Sequence, residues 1–569
     1  MDYKKEYSRW LSEPSLDAEL KKELESLADD EEQLKYRFGA ELEFGTAGMR
    51  GIIGVGTNMM NIYTVRRATQ GLSEYVKSLG AASCKRGVVI SYDTRRKSFE
   101  FAKEAAKILS ANGIVAWLFS DVHPVPMLSY AVRKLRCVAG IMITASHNPK
   151  EYNGYKVYGE DGAQMAPEPT EKVVAFIENI KDYFSVGEGD LALVKKVPGC
   201  VDKSYYRKLV KLTLSPKAVS KVGKKLKLVY TPVHGSGYVP VMTILKKLGI
   251  KVNVVPEQVV KDTEFSTVEI PNPEFKETLA MGISLARKID ADVVFGTDPD
   301  ADRLGVAVKN DQGEFFALSG NQVGILLLDY ILTRLKEDGK LPANGAVVKS
   351  FVTTGMAKAI CDDFGVELVE VPVGFKFIGE KIKEYEEDKS RTFLFGFEES
   401  CGYLRGTQGS RDKDAVVASM LCAEMVCYYT YKKQSVYGRL CDIYAKYGYV
   451  LDRNVSIKFE GLDAMKEMNS VVDSLKTRQV EQFDIYNVVA VRDYAASVRR
   501  LTDGEEEPLN IPKTNAVYYE FENGSFICVR PSGTEPKLKI YYSVRAKDEA
   551  AAEKALEKLK AAFEKMLEK

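Results

Sequence analysis

An alternation of short apolar runs with longer amphipathic stretches, begun three times along one chain, is what most limits the fold. Residues 86–93 and 114–120 read as buried strands flanking a helix that Ser98 caps and that runs to Gly113; 138–143 reads as another strand of the same sheet. After Pro198 the pattern restarts, with strands at 227–231, 251–255 and 291–296 separated by helices at 239–248 and 274–288. A third round sets strands at 346–351, 366–371 and 392–396 among helices at 322–337, 356–364 and 377–386. Short strand-to-helix connections require parallel pairing with helical crossovers, so the expectation is three similar α/β domains with mixed sheets. The end of the chain differs: strands at 516–521 and 525–529 flank Glu522-Asn523-Gly524, a hairpin signal, and a helix rich in Ala, Glu, Lys and Leu follows from residue 547. That is a C-terminal α+β domain. The expected boundaries are 1–205, 206–312, 313–446 and 447–569, with residues 1–37 an amphipathic lead-in packed on the first domain.

Composition excludes several classes of function. With 81 Lys+Arg against 80 Asp+Glu the formal charge is +1, so no global field recruits nucleic acid or acidic lipid and any anion binding is local. No apolar run reaches the roughly 20 residues that span a bilayer. Nine cysteines without a CxxC pair, and a charged amino terminus without signal-peptide character, point to a cytoplasmic protein with free thiols.

Each block carries one polar constellation at a strand end. In the first, Gly140-Ile-Met-Ile-Thr-Ala-Ser-His-Asn-Pro149 breaks from an apolar run into a small polar loop, where open α/β sheets place ligands. Taken alone, Ser146 there is an ordinary turn residue. Upstream, glycines at 45, 48, 51, 54 and 56 mark an exposed loop whose one cation is Arg50. In the second block, Asp298, Asp300 and Asp302 alternate in Asp-Pro-Asp-Ala-Asp-Arg. Such close like charges are either a solvated turn or a site for a hard divalent cation, and the bracketing apolar strands favour the cation; Arg303 follows, placed to meet phosphate. In the third, Glu398 and Ser400 sit in the glycine-bounded stretch 396–402, suited to sugar hydroxyls or to a helix cap. In the last domain Arg530-Pro-Ser-Gly-Thr-Glu-Pro-Lys537 combines a cation, hydroxyls and glycine as a phosphate cradle would, without a Walker or dinucleotide fingerprint.

Together, in order and across about residues 44–543, these loops resemble the α-D-phosphohexomutase family, the phosphoglucomutases and phosphomannomutases. The resemblance implies four domains around a central active-site cleft, carrying in turn the phosphoserine, the metal, the sugar and the phosphate sites. It makes Ser146 the phosphoserine and, with Asp298, Asp300 and Asp302, a ligand to one Mg²⁺. It gives Lys156 proton transfer and makes Arg50 an active-site arginine; His147 either moves protons or shapes the loop. Arg303, Glu398, Ser400, Lys413, Arg530, Ser532, Gly533 and Thr534 become substrate-binding. His123 and His234 are left structural. The implied reaction is isomerisation of a sugar monophosphate through a bisphosphate, glucose 1,6-bisphosphate for glucose phosphates, with pentose or mannose phosphates as alternatives. Where a bacterial phosphomannomutase/phosphoglucomutase branch has a histidine after the sugar-loop serine this chain has Gly402-Tyr403, which weakens dual mannose and glucose use. The segment from Phe44 places the chain nearer the bacterial phosphoglucomutase and phosphopentomutase-like branch. The expected partners are small sugar phosphates, without nucleic acid or membrane, for a monomer or weak homodimer. A Mg²⁺-dependent phosphatase and a non-catalytic sugar-phosphate binding protein are the readings from other classes. The phosphatase leaves Ser146 without a duty, and the binding protein is at odds with the intact motifs.

Overall fold

The computed structural model describes residues 2–45, 48–459, 464–478, 480–532 and 537–567. It divides into two compact units, one of residues 1–318, 379–388 and 401–432, the other of 319–378, 389–400 and 433–569.

The first unit opens with helices α1 (Tyr3–Ser12), α2 (Ala18–Ser26) and α3 (Glu31–Phe38), whose free N–H groups are capped by Asp2, Asp17 and Asp30. Their shared apolar face buries Trp10 edge-on against Phe38, Tyr63 and Phe184, at centroid distances of 5.7, 5.5 and 5.1 Å. The lead-in is therefore docked, as the sequence indicates.

The first sheet contains β1 (Gly48–Ile52), β2 (Val88–Tyr92), β3 (Ala116–Leu118), β4 (Ala139–Ile143), β5 (Tyr152–Gly159) and β6 (Val194–Lys196), in the order β1-β5-β4-β2-β3-β6. β4, β2, β3 and β6 run parallel; β5 runs antiparallel to both its neighbours, β4 and β1, so the sheet is mixed. β1 corrects the reading of the early glycines as an exposed loop: Gly48–Ile52 pairs with β5, and Gly48, at φ 116°, lies so close to Tyr155 that a Cβ would stand 1.9 Å from its carbonyl oxygen. Glycine is there for a strand's close approach. Ser98 likewise begins its helix rather than capping it, because Lys97 takes the left-handed cap position and the Ser98 hydroxyl donates to Asp93.

The second sheet has the order β11-β10-β9-β7-β8, formed by β7 (Leu228–Thr231), β8 (Val252–Val254), β9 (Val293–Thr297), β10 (Leu304–Lys309) and β11 (Phe315–Leu318). The helix expected from residue 274 starts at Ala280, after a 3₁₀ turn at Lys276–Leu279.

In the second unit β12 (Gly345–Ser350) pairs in parallel with β13 (Glu367–Val371) and β14 (Thr392–Glu398). The chain then supplies β15 (Gly402–Leu404) and helix Ala415–Tyr431 to the first unit before re-entering the second. There β16 (Tyr449–Lys458), β17 (Gln482–Phe483), β18 (Tyr486–Asp493), β19 (Val498–Leu501), β20 (Glu506–Pro508), β21 (Val517–Phe521), β22 (Phe526–Pro531) and β23 (Lys537–Ala546) form an antiparallel sheet ordered β16-β23-β22-β21-β18-β19-β20, with β17 on β18. The hairpin at Gly524 is present, with Val517 opposite Val529. Helix Glu549–Leu567 buries Leu556, Leu559 and Phe563 on the sheet. No helix among the described residues is long and apolar enough to cross a membrane.

Asp414 N-caps helix Ala415–Tyr431 by accepting from Val417 N–H, and the Tyr205 hydroxyl donates to it at 2.8 Å. Burial pushes its carboxyl up to about 6. Since the unfolded value is about 3.9, the stability tied to this proton is full below that pH and lost as pH rises through the folded value, a loss of about 3 kcal/mol. Asp414→Asn keeps the cap acceptor and should flatten that fall. Urea melts at pH 4 and pH 7 check it: wild type must lose more stability between the two than the variant, and equal losses contradict the assignment.

Candidate active site

Strands β2 and β4 are parallel neighbours, so their carboxyl ends release Asp93 and the Ser146 loop side by side. Ser146 is 3 % exposed and holds a left-handed backbone, φ 52°, unusual for a residue with a Cβ. Thr144 Oγ1 accepts the Ser146 N–H at 2.8 Å and donates to Asp93 Oδ2 at 2.6 Å, while Asn148 N–H closes the turn on Ala145. The Ser146 N–H is therefore used within the loop rather than offered to an anion. The Ser146 hydroxyl donates to Asp298 Oδ2 at 3.0 Å, with His147 Nδ1 at 3.2 Å. Burial, then the positive charges of Arg303, Arg50, Lys156 and Arg95, push the His147 imidazole well below its usual value, so the ring is neutral. The Arg50 guanidinium donates to Asn148 Oδ1 at 2.7 Å.

The loop after β9 carries the three aspartates. All are buried, and one oxygen from each lies within 4.8 Å of the others. Asp298 Oδ1 accepts from the N–H groups of Asp302 and Arg303, which folds the loop around it; Ala301, at φ 45°, makes the tight return. Lys156 Nζ lies 2.8 Å from Asp300 and 3.9 Å from Asp302, and Lys413 Nζ is 3.2 Å from Asp302. Burial and the charges of Asp300 and Asp302 push Asp298 well up; burial acts the same way on Asp300, but Lys156 overcomes it and holds that carboxyl below the ordinary range. Asp300 Oδ1 and both Asp302 oxygens accept no hydrogen bond from the described residues. Buried hard oxygens without donors, converging in one place, suit a divalent cation. Arg303 is turned onto Glu274 at 2.6 Å.

In the second unit, Glu398 ends β14 and Ser400 lies in the turn after it, so the stretch read as a loop is strand up to Glu398. Neighbouring Glu399 accepts from Ser350 Oγ at 3.1 Å and Thr353 Oγ1 at 3.0 Å. Arg530 lies in β22, opposite Lys539 of β23; Ser532 N–H donates to Lys537 O. Gly533 and Thr534 lie outside the described residues. His123 binds Asp202 and the Asp121 carbonyl, and His234 binds Thr267 and the Val260 carbonyl.

The first unit thus brings together Ser146, His147, Arg50, Lys156, Lys413 and the three aspartates. The sequence reading missed Asp93, Arg95 and Thr144, which build the serine loop from behind. A usable signal existed, since Asp93-Thr94-Arg95 is itself a polar run directly after an apolar strand.

Serial models of the phosphoglucomutase/phosphomannomutase family match this architecture: α/β/α domain I at residues 41–184, domain II at 203–313, domain III at 319–447 and the C-terminal domain at 467–563. The chain belongs to this family and is an intramolecular phosphotransferase. Its relatives include the phosphoglucomutase of Staphylococcus saprophyticus, 36 % identical over 91 % of this chain and 93 % of that protein, and that of Staphylococcus aureus, 35 % identical over 90 % and 91 %. Among solved structures, parafusin, a phosphoglucomutase from Paramecium in its open form, superposes with a TM-score of 0.66 at 19 % identity, covering 92 % of this chain and 95 % of that one. A phosphoglucomutase/phosphomannomutase family protein from Burkholderia thailandensis gives 0.66 at 19 %, covering 91 % and 96 %. At that identity these structures speak for the fold.

Proposed function

We propose that this chain is a phosphoglucomutase that interconverts α-D-glucose 1-phosphate and glucose 6-phosphate through phospho-Ser146 and glucose 1,6-bisphosphate. The observation that carries the reading is the Ser146 hydroxyl, 3.0 Å from a carboxylate of a buried aspartate triad and presented on a left-handed turn. In the forward half-reaction the bond from Ser146 Oγ to phosphorus breaks as one forms to the free sugar hydroxyl, whose proton passes to a base. We assign that transfer to Lys156, beside the triad, which takes the proton only as the neutral amine and so must first release the proton it carries as the ammonium paired with Asp300; neutral His147, its Nδ1 3.2 Å from the Ser146 hydroxyl, shapes the serine loop. The bisphosphate then turns over, and Ser146 takes the other phosphate back. Asp298, Asp300, Asp302 and the Ser146 phosphate would hold Mg²⁺, which when bound neutralises charge building on the transferring phosphoryl.

Glu398 and Ser400 are assigned to the sugar hydroxyls. Arg530, Ser532, Gly533 and Thr534 grip the phosphate that is not reacting, and because they read phosphate rather than a particular carbon, one site serves both orientations. Arg50, Arg303 and Lys413 supply positive charge nearer the transfer. The near-zero net charge fits small sugar phosphates as partners rather than nucleic acid or acidic membranes, and nine cysteines without a CxxC pair fit a cytoplasmic enzyme, which we take to be a monomer or weak homodimer.

Glucose is preferred because the relatives at 35–36 % identity are phosphoglucomutases. Rates on glucose 1-phosphate, mannose 1-phosphate and a pentose 1-phosphate, each primed with the matching bisphosphate, test it. The kcat/KM for glucose should lead by about tenfold or more, a gap of about 1.4 kcal/mol. A lead for pentose reassigns the sugar. Stoichiometric release of free phosphate in place of isomerisation would turn the enzyme into a phosphatase.

A further inference from the structure

We propose that Arg95 and Phe265 form a clamp that sets the Ser146 loop in register with the aspartate triad, which makes both of them positioning residues for phosphoryl transfer. The catalytic part of the proposal rests on Ser146 being the phosphoryl carrier; the structural part does not.

The Arg95 side chain is wholly buried, directly after β2. Its Nη2 donates to the carbonyls of Ser146 at 2.6 Å and Asn148 at 2.5 Å, and its Nη1 to those of Pro149 at 2.8 Å and Tyr152 at 3.2 Å. Four main-chain acceptors on both limbs of one loop converge on a single planar fork. The Ser146, Asn148 and Pro149 carbonyls lie in the loop between β4 and β5, outside both strands, and buried carbonyls need donors. A lysine has three donors around one point and cannot span the same four acceptors. Asp93, 3.4 Å from Arg95 Nε, balances the buried charge and also anchors Thr144 and Ser98.

The guanidinium is covered by the ring of Phe265, 5.1 Å from its centroid. Phe265 lies in the segment between β8 and β9, in the layer whose β9–β10 connection carries the triad. It is 1 % exposed and holds φ 46°, a conformation that a bulky aromatic adopts only when its surroundings enforce it. The surroundings are present. Asp262 accepts from the N–H groups of Glu264 and Ser266, and Thr267 Oγ1 lies 2.7 Å from His234 Nε2. Lys150, just past the Ser146 loop, reaches Glu264 at 3.0 Å, a second tie between the same two segments. Arg95 therefore fixes the shape of the serine loop, and Phe265 fixes Arg95 to the layer that holds Asp298. The 3.0 Å separation of Ser146 Oγ from Asp298 depends on both contacts. His234, which does no chemistry in this arrangement, acquires a purpose as a post for the Phe265 segment.

The test compares Phe265→Leu, Phe265→Tyr and Arg95→Lys with wild type in the full-length protein. Hydrogen exchange of the peptide covering residues 145–154 is read alongside kcat and KM for glucose 1-phosphate. Leucine fills space without a ring face, so Phe265→Leu should speed exchange at 145–154 and lower kcat about tenfold with KM within about threefold, whereas Phe265→Tyr keeps the ring and should stay close to wild type in both. Arg95→Lys should speed exchange further and lower kcat about a hundredfold. If Phe265→Leu matches wild type in exchange and kcat, the clamp is refuted; if its loss appears in KM alone, positioning is refuted. Should wild type prove not to be a mutase, the exchange comparison alone still decides whether the clamp exists.

Discussion

Ser146→Ala should take up no phosphate from glucose 1,6-bisphosphate and lose at least about 10⁴-fold in mutase kcat, because it removes the atom proposed to carry the phosphoryl group. Intact mass before and after the bisphosphate, with the modified peptide located and a coupled assay for glucose 6-phosphate, reads both effects. The fold should tolerate the change. The hydroxyl makes one donated hydrogen bond, to Asp298, with His147 beside it, and the turn is held by Arg95 and Thr144 rather than by the serine side chain. Loss of that bond costs about 1 kcal/mol, so the melting temperature should move by only about 2–4 °C. A variant that melts normally yet cannot be phosphorylated isolates the nucleophile from the scaffold. Full activity in Ser146→Ala, or a wild type that never gains phosphate, would sink the phosphoserine mechanism.

Asp298→Asn is expected to show the second large effect, and in two opposite directions. With Mg²⁺ present, kcat falls about 10³-fold, since one oxygen of the cation's shell and its hold on the transferring phosphoryl are lost. Without metal, the variant melts at the same temperature as wild type or higher, because burial and two neighbouring carboxylates already disfavour charge at Asp298. An asparagine still accepts at Oδ1 from the N–H groups of Asp302 and Arg303. Mg²⁺ should then stabilise wild type, by about 2.7 kcal/mol at a hundredfold excess over Kd, and leave the variant almost unmoved. Thermal melts with chelator and with added Mg²⁺ separate the two parts independently of catalysis. Equal Mg²⁺ shifts in both proteins would show that the triad is not where the metal sits.

What the sequence made legible divides along physical lines. Period and punctuation marked a run of parallel strands and crossover helices in each of the three α/β rounds, because apolar runs of strand length between amphipathic stretches have few other uses, but left β5, β6, β10 and β11 and the helices Ile62–Ser78 and Val125–Leu135 unread. The aspartate triad was readable because its three charges are adjacent in the chain, so their repulsion is visible without a fold. The short strand Gly48–Ile52 was not, because glycines that signal a loop by composition are there to admit the backbone of β5. The strand read at 392–396 stops two residues short, because β14 runs on to Glu398 with Phe397 opposite Lys349 of β12, a partner far away in the chain. Arg95 was passed over because its value lies in four carbonyls between 51 and 57 residues away, none of which leaves a trace in side-chain pattern.

The sequence by itself determined the class of fold, the order of the four polar loops and the residue types each of them carries, since each of these is local chemistry written within about ten residues. Only the tertiary structure decided that Ser146 meets Asp298 at 3.0 Å, that Lys156 and Lys413 approach the triad from separate segments, and that a buried arginine shapes the turn on which the serine stands. These depend on the register of parallel strands and on the packing of one layer on the next, which bring the ends of β4 and β9 together although 150 residues separate Ile143 from Val293. Distances of that kind are set by the summed packing of the core, and no single stretch of chain contains them.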